Sequence, residues 1–184
     1  SLNQGRFLPA CLNSLVSQDY PNLEIIVVDG GSTDGSQAVI RSFESELSSW
    51  VSEADTGQSN AINKGMAIAT GEILCWLNAD DCLMPGTLKS VALAFDRAPN
   101  VEAIYGHRIL IDTTGKDIGK WILPYHSDAV LTYVDFIPQE TLFWRASLWE
   151  SIGAKLDESL DFALYWDLLC RFRDAGANFT LLPK

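Results

Sequence analysis

Basic side chains are scarce in this sequence: 13 lysines and arginines face 24 aspartates and glutamates, a net charge of −11. The cationic surface that phosphate backbones require is missing, which excludes nucleic acid as a partner. Long hydrophobic runs are missing too. The longest apolar stretches, residues 25–28 and 73–77, fall far short of the roughly 18–20 residues that span a bilayer, so neither a transmembrane helix nor a signal peptide is predicted. The two histidines, His107 and His126, stand far apart, and Cys11, Cys75, Cys82 and Cys170 lack paired metal-site spacing, so a zinc centre is not predicted. The cysteines read as small thiols kept reduced in a cytoplasmic compartment. No repeat, low-complexity segment or Pro/Gly/Ser-rich linker divides the chain. What is present suffices for one core: 47% of the 184 residues are hydrophobic and 10% aromatic, a length suited to one domain.

Apolar periodicity alternates between helix and strand. Leu8, Leu12, Leu15 and Val16 mark a helix after a polar start. Residues 23–28 form a nearly continuous apolar strand, as in a parallel sheet covered on both faces. Val39, Phe43, Leu47 and Trp50 predict a helical face, followed by a short strand ending near Glu53. A helix around Ala61, Ile62, Met66 and Ala69 leads to a strand at 72–77, and after Pro85 to a helix carrying Leu88, Val91, Ala92 and Phe95. This order predicts right-handed crossovers in an open α/β sheet. Beyond Val101 the rhythm changes to a strand at 101–105, a hairpin around 113–116, a strand at 141–144, a helix over 160–175 and a last strand at 179–182.

Two strands end in acid. Residues 27–35, Val-Val-Asp-Gly-Gly-Ser-Thr-Asp-Gly, deliver Asp29 to the edge of the sheet and follow it with a glycine- and hydroxyl-rich turn. Ligands of open α/β sheets bind in that crevice. The amides of Gly30 to Thr33 can face a polar ligand there, while Ser32 or Asp34 can equally cap the next helix. The glycines give no G-x-G-x-x-G pattern, and no P-loop lysine follows, so neither a dinucleotide nor a P-loop site is predicted. The second strand runs into Asn78-Ala-Asp80-Asp81. Adjacent carboxylates repel and suit a hard divalent cation, Mg²⁺ or Mn²⁺, completed by substrate phosphates; the alternative is a solvated acidic turn. Between the two, Asp55 and Asn60 are candidate nucleoside contacts and Lys64 a candidate phosphate contact, or else caps and surface residues.

The ordered set of stretches at 1–8, 18–24, 28–35, 53–65, 71–74, 78–81, 136–139 and 156–160 resembles the family-2 glycosyltransferases, and covers nearly the whole chain. The resemblance implies the GT-A fold: a Rossmann-like, mostly parallel sheet flanked by helices, with a small antiparallel acceptor-side portion. Residues 1–100 would bind the nucleotide sugar and 101–184 the acceptor. It also places an apolar strand just before Ser1, so the chain reads as one catalytic domain lacking its first strand. The implied activity is inverting, metal-dependent transfer from a nucleotide sugar, most often a UDP-sugar, to a glycan, lipid-linked or other hydroxyl acceptor in cell-envelope synthesis, at the inner face of a membrane. Asp29, Gly30, Ser32 and Asp55 match the nucleoside site. Asn78-Ala-Asp80 matches the family's D-x-D motif with asparagine first, so Asp80 and Asp81 would hold the metal. Gln139 and Glu140, after Pro138, would face the acceptor, and Trp121, Tyr125 and His126 would line a sugar site or pack as ordinary aromatics.

Inversion needs a base for the acceptor proton. The family places an acid where this chain has Leu164-Tyr165. Asp161, four residues before Tyr165 on the predicted helix, and Asp167, pointing about 160° away, are the nearby candidates; Asp167 can instead pair with Arg171 at i+4. The departure also leaves open a nucleotide-sugar-binding module with impaired catalysis.

Overall fold

A computed structural model describes residues 1–182. Its first layer is a parallel pair, β1 (Ile26–Asp29) and β2 (Ser49–Ser52), with Ile26 opposite Ser49 and Asp29 opposite Ser52. Side chains alternate across β1. Val27, with Ile25 just before the strand, packs against Leu8 and Leu12 of α1 (Leu8–Val16) and Ile40 of α2 (Ser36–Ser42). The opposite face meets α3 (Gln58–Met66), where Gly65 permits a close approach: a Cβ there would stand 3.3 Å from Val28 Cγ2.

The second layer is a four-stranded sheet in the order β3 (Ile73–Leu74), β7 (Phe143–Arg145), β4 (Ala103–Tyr105), β8 (Phe179–Leu181). The period of two again sorts its side chains. Ala103, Tyr105 and Trp144 face Leu168, Leu169 and Phe172 of α7 (Leu164–Asp174) and Leu148 and Trp149 of α6 (Ala146–Ser151). Ile104 and Phe143 face Val91 and Phe95 of α4 (Thr87–Arg97). A hairpin of β5 (Arg108–Ile111) and β6 (Asp117–Trp121) projects from this sheet, and a short α5 (Asp128–Leu131) is capped by Ser127.

The predicted α/β layering and the hairpin are present. The pairing is more mixed than the expected mostly parallel sheet, because β7 runs antiparallel between β3 and β4, leaving β1–β2 and β4–β8 as the parallel pairs among the described residues. The helix predicted through Trp50 ends at Ser42, since β2 must begin at Ser49 to pair with β1. The strand predicted over 72–77 keeps ladder bonds at Ile73 and Leu74 alone. The helix predicted from residue 160 starts at Leu164: Ala163 takes a left-handed φ of 59°, which breaks the backbone path that would have carried Asp161 onto the helix.

Candidate active site

The carboxyl end of β1 supplies the most completely buried acid of the site. Asp29 has no exposed surface, and its carboxylate accepts hydrogen bonds from the Ser32 amide at 2.9 Å, the Ser32 hydroxyl at 2.5 Å and the Ser52 hydroxyl at 2.7 Å. Burial alone would raise its pKa; these donors outweigh it and hold the carboxyl below its ordinary range. Asp29 thus braces the turn from inside. The segment at 1–5 clamps the same turn from outside. Asn3 donates its amide to Ser32 Oγ at 2.7 Å and accepts from the Thr33 amide, and Gly5 donates to Asp34. Asp34 also receives the Ser36 amide and hydroxyl at the start of α2, although the N-cap position itself is Gly35, so Asp34, expected as the cap, braces the turn one residue ahead of it.

Gly30 is the point where the turn meets Asp55. A Cβ at position 30 would meet the Asp55 carboxylate, so any side chain there has to push the Asp55 carboxylate aside. Asp55 accepts from the Gly57 amide at 3.1 Å and leads into α3. Asn60 and Lys64, further along α3, are engaged by protein: Asn60 donates to Glu158 at 3.0 Å, and Lys64 pairs with Glu53 at 2.7 Å. Their neighbour Asn63, unmarked in the sequence reading, imitates a backbone pair. It donates to the Leu156 carbonyl at 3.1 Å, accepts from the Leu156 amide at 2.8 Å, and reaches Glu158 as well. The asparagine spacing 60/63, one turn of helix on a polar face, was the available signal.

Gln58, at the start of α3, connects the Asp29–Asp55 corner to the acidic turn after β3. Its amide donates to Asn78 Oδ1 at 3.0 Å; Asn78 donates to Gln139 Oε1 at 2.9 Å; and Gln139 donates to the Trp76 carbonyl at 2.5 Å. Asp80 is exposed and Asp81 half-buried. Burial, with the charges of Glu140 and Asp80 nearby, pushes the Asp81 carboxyl up to about 6. Among the described residues no three metal-binding side chains gather. Asp80 and Asp81 are two adjacent carboxylates in a negative field, and a divalent cation such as Mg²⁺ or Mn²⁺ held there would have to take its other ligands from phosphates and water.

Beside the acidic turn lies a cavity of about 260 Å³ lined by Arg108, Trp121, Asp135, Phe136, Gln139, Glu140 and Tyr165, among others. Glu140 is tied to Arg108 at 2.7 Å, and the Arg108 guanidinium sits over Trp121, 5.3 Å from the ring centroid. Tyr165 packs edge-on to Trp76, and its buried hydroxyl has no hydrogen-bond partner. Burial raises that phenol well above its ordinary pKa, and the charges of Asp135 and Glu140 push the same way.

The two acids expected near Tyr165 lie elsewhere. Asp161 is exposed in the turn before α7, and Asp167 stands 3.6 Å from Arg171. Arg171 in turn donates to the Lys155 and Ile152 carbonyls, which fixes Asp167 toward that loop. Of the three aromatics expected at a sugar site, Trp121 alone lines this cavity. Tyr125 and His126 line a second one at β8, where His126 stacks on Phe179 with centroids 4.4 Å apart. Asp135, which the sequence reading passed over, lines the first; it sits in a polar-apolar junction, Tyr133-Val-Asp135-Phe, without any recognisable motif.

A buried acid bracing a Gly-Gly-Ser turn, a second acid packed over its glycine and an acidic turn bridged to them by amides make a crevice of the kind used by nucleotide-sugar enzymes. Comparisons with known proteins agree. A glycosyltransferase of PGL/p-HBAD biosynthesis from Mycobacterium bovis is 32% identical over 157 residues, 83% of this chain and 59% of that protein. The structure of S. aureus TarS in complex with UDP-GlcNAc superposes with a TM-score of 0.80 at 19% identity, over 99% of this chain and 54% of that one. The mannosyltransferase PcManGT from Pyrobaculum calidifontis, in complex with GDP-Man and Mn²⁺, gives 0.73 at 22% identity, over 100% and 53%. The chain thus spans between half and three-fifths of the length of these proteins, and the structural likeness establishes the GT-A fold. The family model described as glycosyl transferase family 2 matches residues 1–133, and with that crevice in place the chain belongs to glycosyl transferase family 2.

Proposed function

We propose that this chain transfers a hexose-type sugar, with inversion, from a nucleoside-diphosphate donor to an acceptor hydroxyl. The observation that carries the reading is the continuity of the crevice: Asp29, Gly30 and Asp55 at one end, Asn78, Asp80 and Asp81 in the middle, and the Gln139–Glu140 cavity at the other. On this reading the first end holds the nucleoside, with Asp55 at the ligand and Asp29 and Ser32 shaping the turn that receives it. Asp80 and Asp81 would hold Mg²⁺ or Mn²⁺, which supplies Lewis-acid neutralisation of the diphosphate's charge. Gln139 and Glu140 face the acceptor, a glycan or lipid-linked hydroxyl, so residues 1–100 and 101–184 divide the work between donor and acceptor. Among the described residues no helix is long and apolar enough to cross a membrane, and a lipid-linked acceptor would be met from the cytoplasmic side of the bilayer. Titration calorimetry with UDP and either metal tests the reading: metal-dependent binding supports it, and no heat with either metal removes it.

A second reading, a binding module without turnover, is favoured by Tyr165 in the place of an acid and by the Asp167–Arg171 pair. It differs in one result: metal-dependent UDP binding with no release of nucleotide from any sugar donor.

A further inference from the structure

We infer that Asp135 is the base that accepts the acceptor proton, an inference that rests on the transfer reaction proposed above. Each other acid near the cavity is committed or misplaced. Asp161 lies outside the helix, Asp167 faces Arg171 at 3.6 Å with its Oδ2 buried and does not line the cavity, and Glu140 is neutralised by Arg108 at 2.7 Å. Asp135 alone among the cavity's carboxylates accepts no hydrogen bond and forms no ion pair among the described residues, and it lines the wall shared with Trp121 and Tyr165. It follows α5 and precedes buried Phe136 and Ile137, which anchor it, while its own surface stays open to an entering acceptor. Partial burial of its carboxyl raises its pKa, a direction that strengthens a base working near neutrality.

Tyr165 completes the arrangement. Its hydroxyl is buried and unpartnered among the described residues, so the Tyr165 ring forms a closed, apolar floor beside the two carboxylates and leaves Asp135 as the group an acceptor hydroxyl can reach. The acceptor oxygen forms its bond to the anomeric carbon from the face opposite the diphosphate, and its proton passes to the Asp135 carboxylate. The anomeric carbon–oxygen bond breaks, and its electron pair leaves on the nucleoside diphosphate. With Glu140 neutralised by Arg108, the one uncompensated charge lining the cavity among the described residues is Asp135, which favours an uncharged carbohydrate over an anionic one as acceptor.

The experiment pairs two readouts on the wild-type chain, Asp135→Asn and Asp135→Glu: UDP or GDP affinity with Mn²⁺ by calorimetry, and nucleotide release from UDP-glucose, UDP-GlcNAc and GDP-mannose with water or a neutral oligosaccharide as acceptor. Asp135→Asn is expected to lower release about 10²–10⁴-fold with nucleotide affinity unchanged within about twofold, and Asp135→Glu to recover part of the rate. Release within tenfold of wild type in Asp135→Asn overturns the assignment and leaves the transfer reading standing. A wild-type chain that binds nucleotide yet releases none from any donor also overturns the assignment, and it selects the binding module over the transfer reading. Absence of nucleotide binding in the wild type removes the transfer reading and this base with it.

Discussion

Replacing Asp29 by asparagine tests how much the turn after β1 depends on one buried charge. The carboxylate takes three hydrogen bonds, two on Oδ2 from the Ser32 amide and Ser52 hydroxyl and one on Oδ1 from the Ser32 hydroxyl. Hydrogen bonds to a charged group contribute about 1.5–3 kcal/mol each, against about 1 kcal/mol for neutral partners. An asparagine oxygen can keep the two bonds on one side at neutral strength. Its NH₂ group then faces Ser32 Oγ, which already accepts the Asn3 amide, so that hydroxyl must turn its own proton away. The expected cost is about 3 kcal/mol, a large part of the 5–15 kcal/mol that holds a domain folded. Urea denaturation followed by tryptophan fluorescence reads it as a lower midpoint at unchanged slope. The pH dependence has a definite sign. The folded-state pKa of Asp29 is depressed, so its contribution is fully present above the unfolded value of about 3.9 and is lost as pH falls through the lower folded value. The gap between wild type and Asp29→Asn is therefore constant above about pH 4 and closes below it. A loss under 1 kcal/mol at pH 7, or a gap that persists unchanged into acid, refutes the reasoning.

Three further outcomes follow from the same geometry. Asn63→Ala removes both halves of its pairing with Leu156 and is expected to cost about 2–3 kcal/mol in the same denaturation assay, with protection lost at the Leu156 amide in hydrogen exchange. Gly30→Ala displaces the half-exposed Asp55 carboxylate; UDP affinity is expected to fall at least tenfold by calorimetry, with stability changed by less than about 1 kcal/mol because a flexible side chain can move aside. Tyr165→Phe deletes a buried hydroxyl that has no partner, so apo stability is expected to rise by about 1 kcal/mol, seen as an increase in melting temperature.

The turn after β1 was legible in the sequence because its chemistry is local. Asp29, Gly30 and Ser32 lie within four positions, and an apolar strand announces them. Asp80 and Asp81 announce themselves the same way. The cavity at the other end of the crevice was legible in part: Gln139, Glu140 and Trp121 were expected there, while Arg108, Asp135 and the bond from Asn78 to Gln139 were not, because they are brought in across long separations. Helical periodicity misplaced Asp161, since Leu160 and Leu164 fit one helical face while a single left-handed residue, Ala163, interrupts the path between them. The same limit explains α5 and α6, whose few residues are too short for a periodic signal and are stabilised by the core under Leu131, Leu148 and Trp149.

The amide sequence from Gln58 through Asn78 and Gln139 to the Trp76 carbonyl has a polarity: each nitrogen faces the next oxygen, and no member can be reversed alone. An aspartate at position 78 would set oxygen against the oxygen of Gln139, and turning Gln139 over would strip the Trp76 carbonyl of its donor. The two ends of the crevice are thus read in one orientation, and positions 78 and 139 constrain each other as a matched pair. An Asn78→Asp chain therefore loses the bond to Gln139 unless residue 139 supplies a donor in its place.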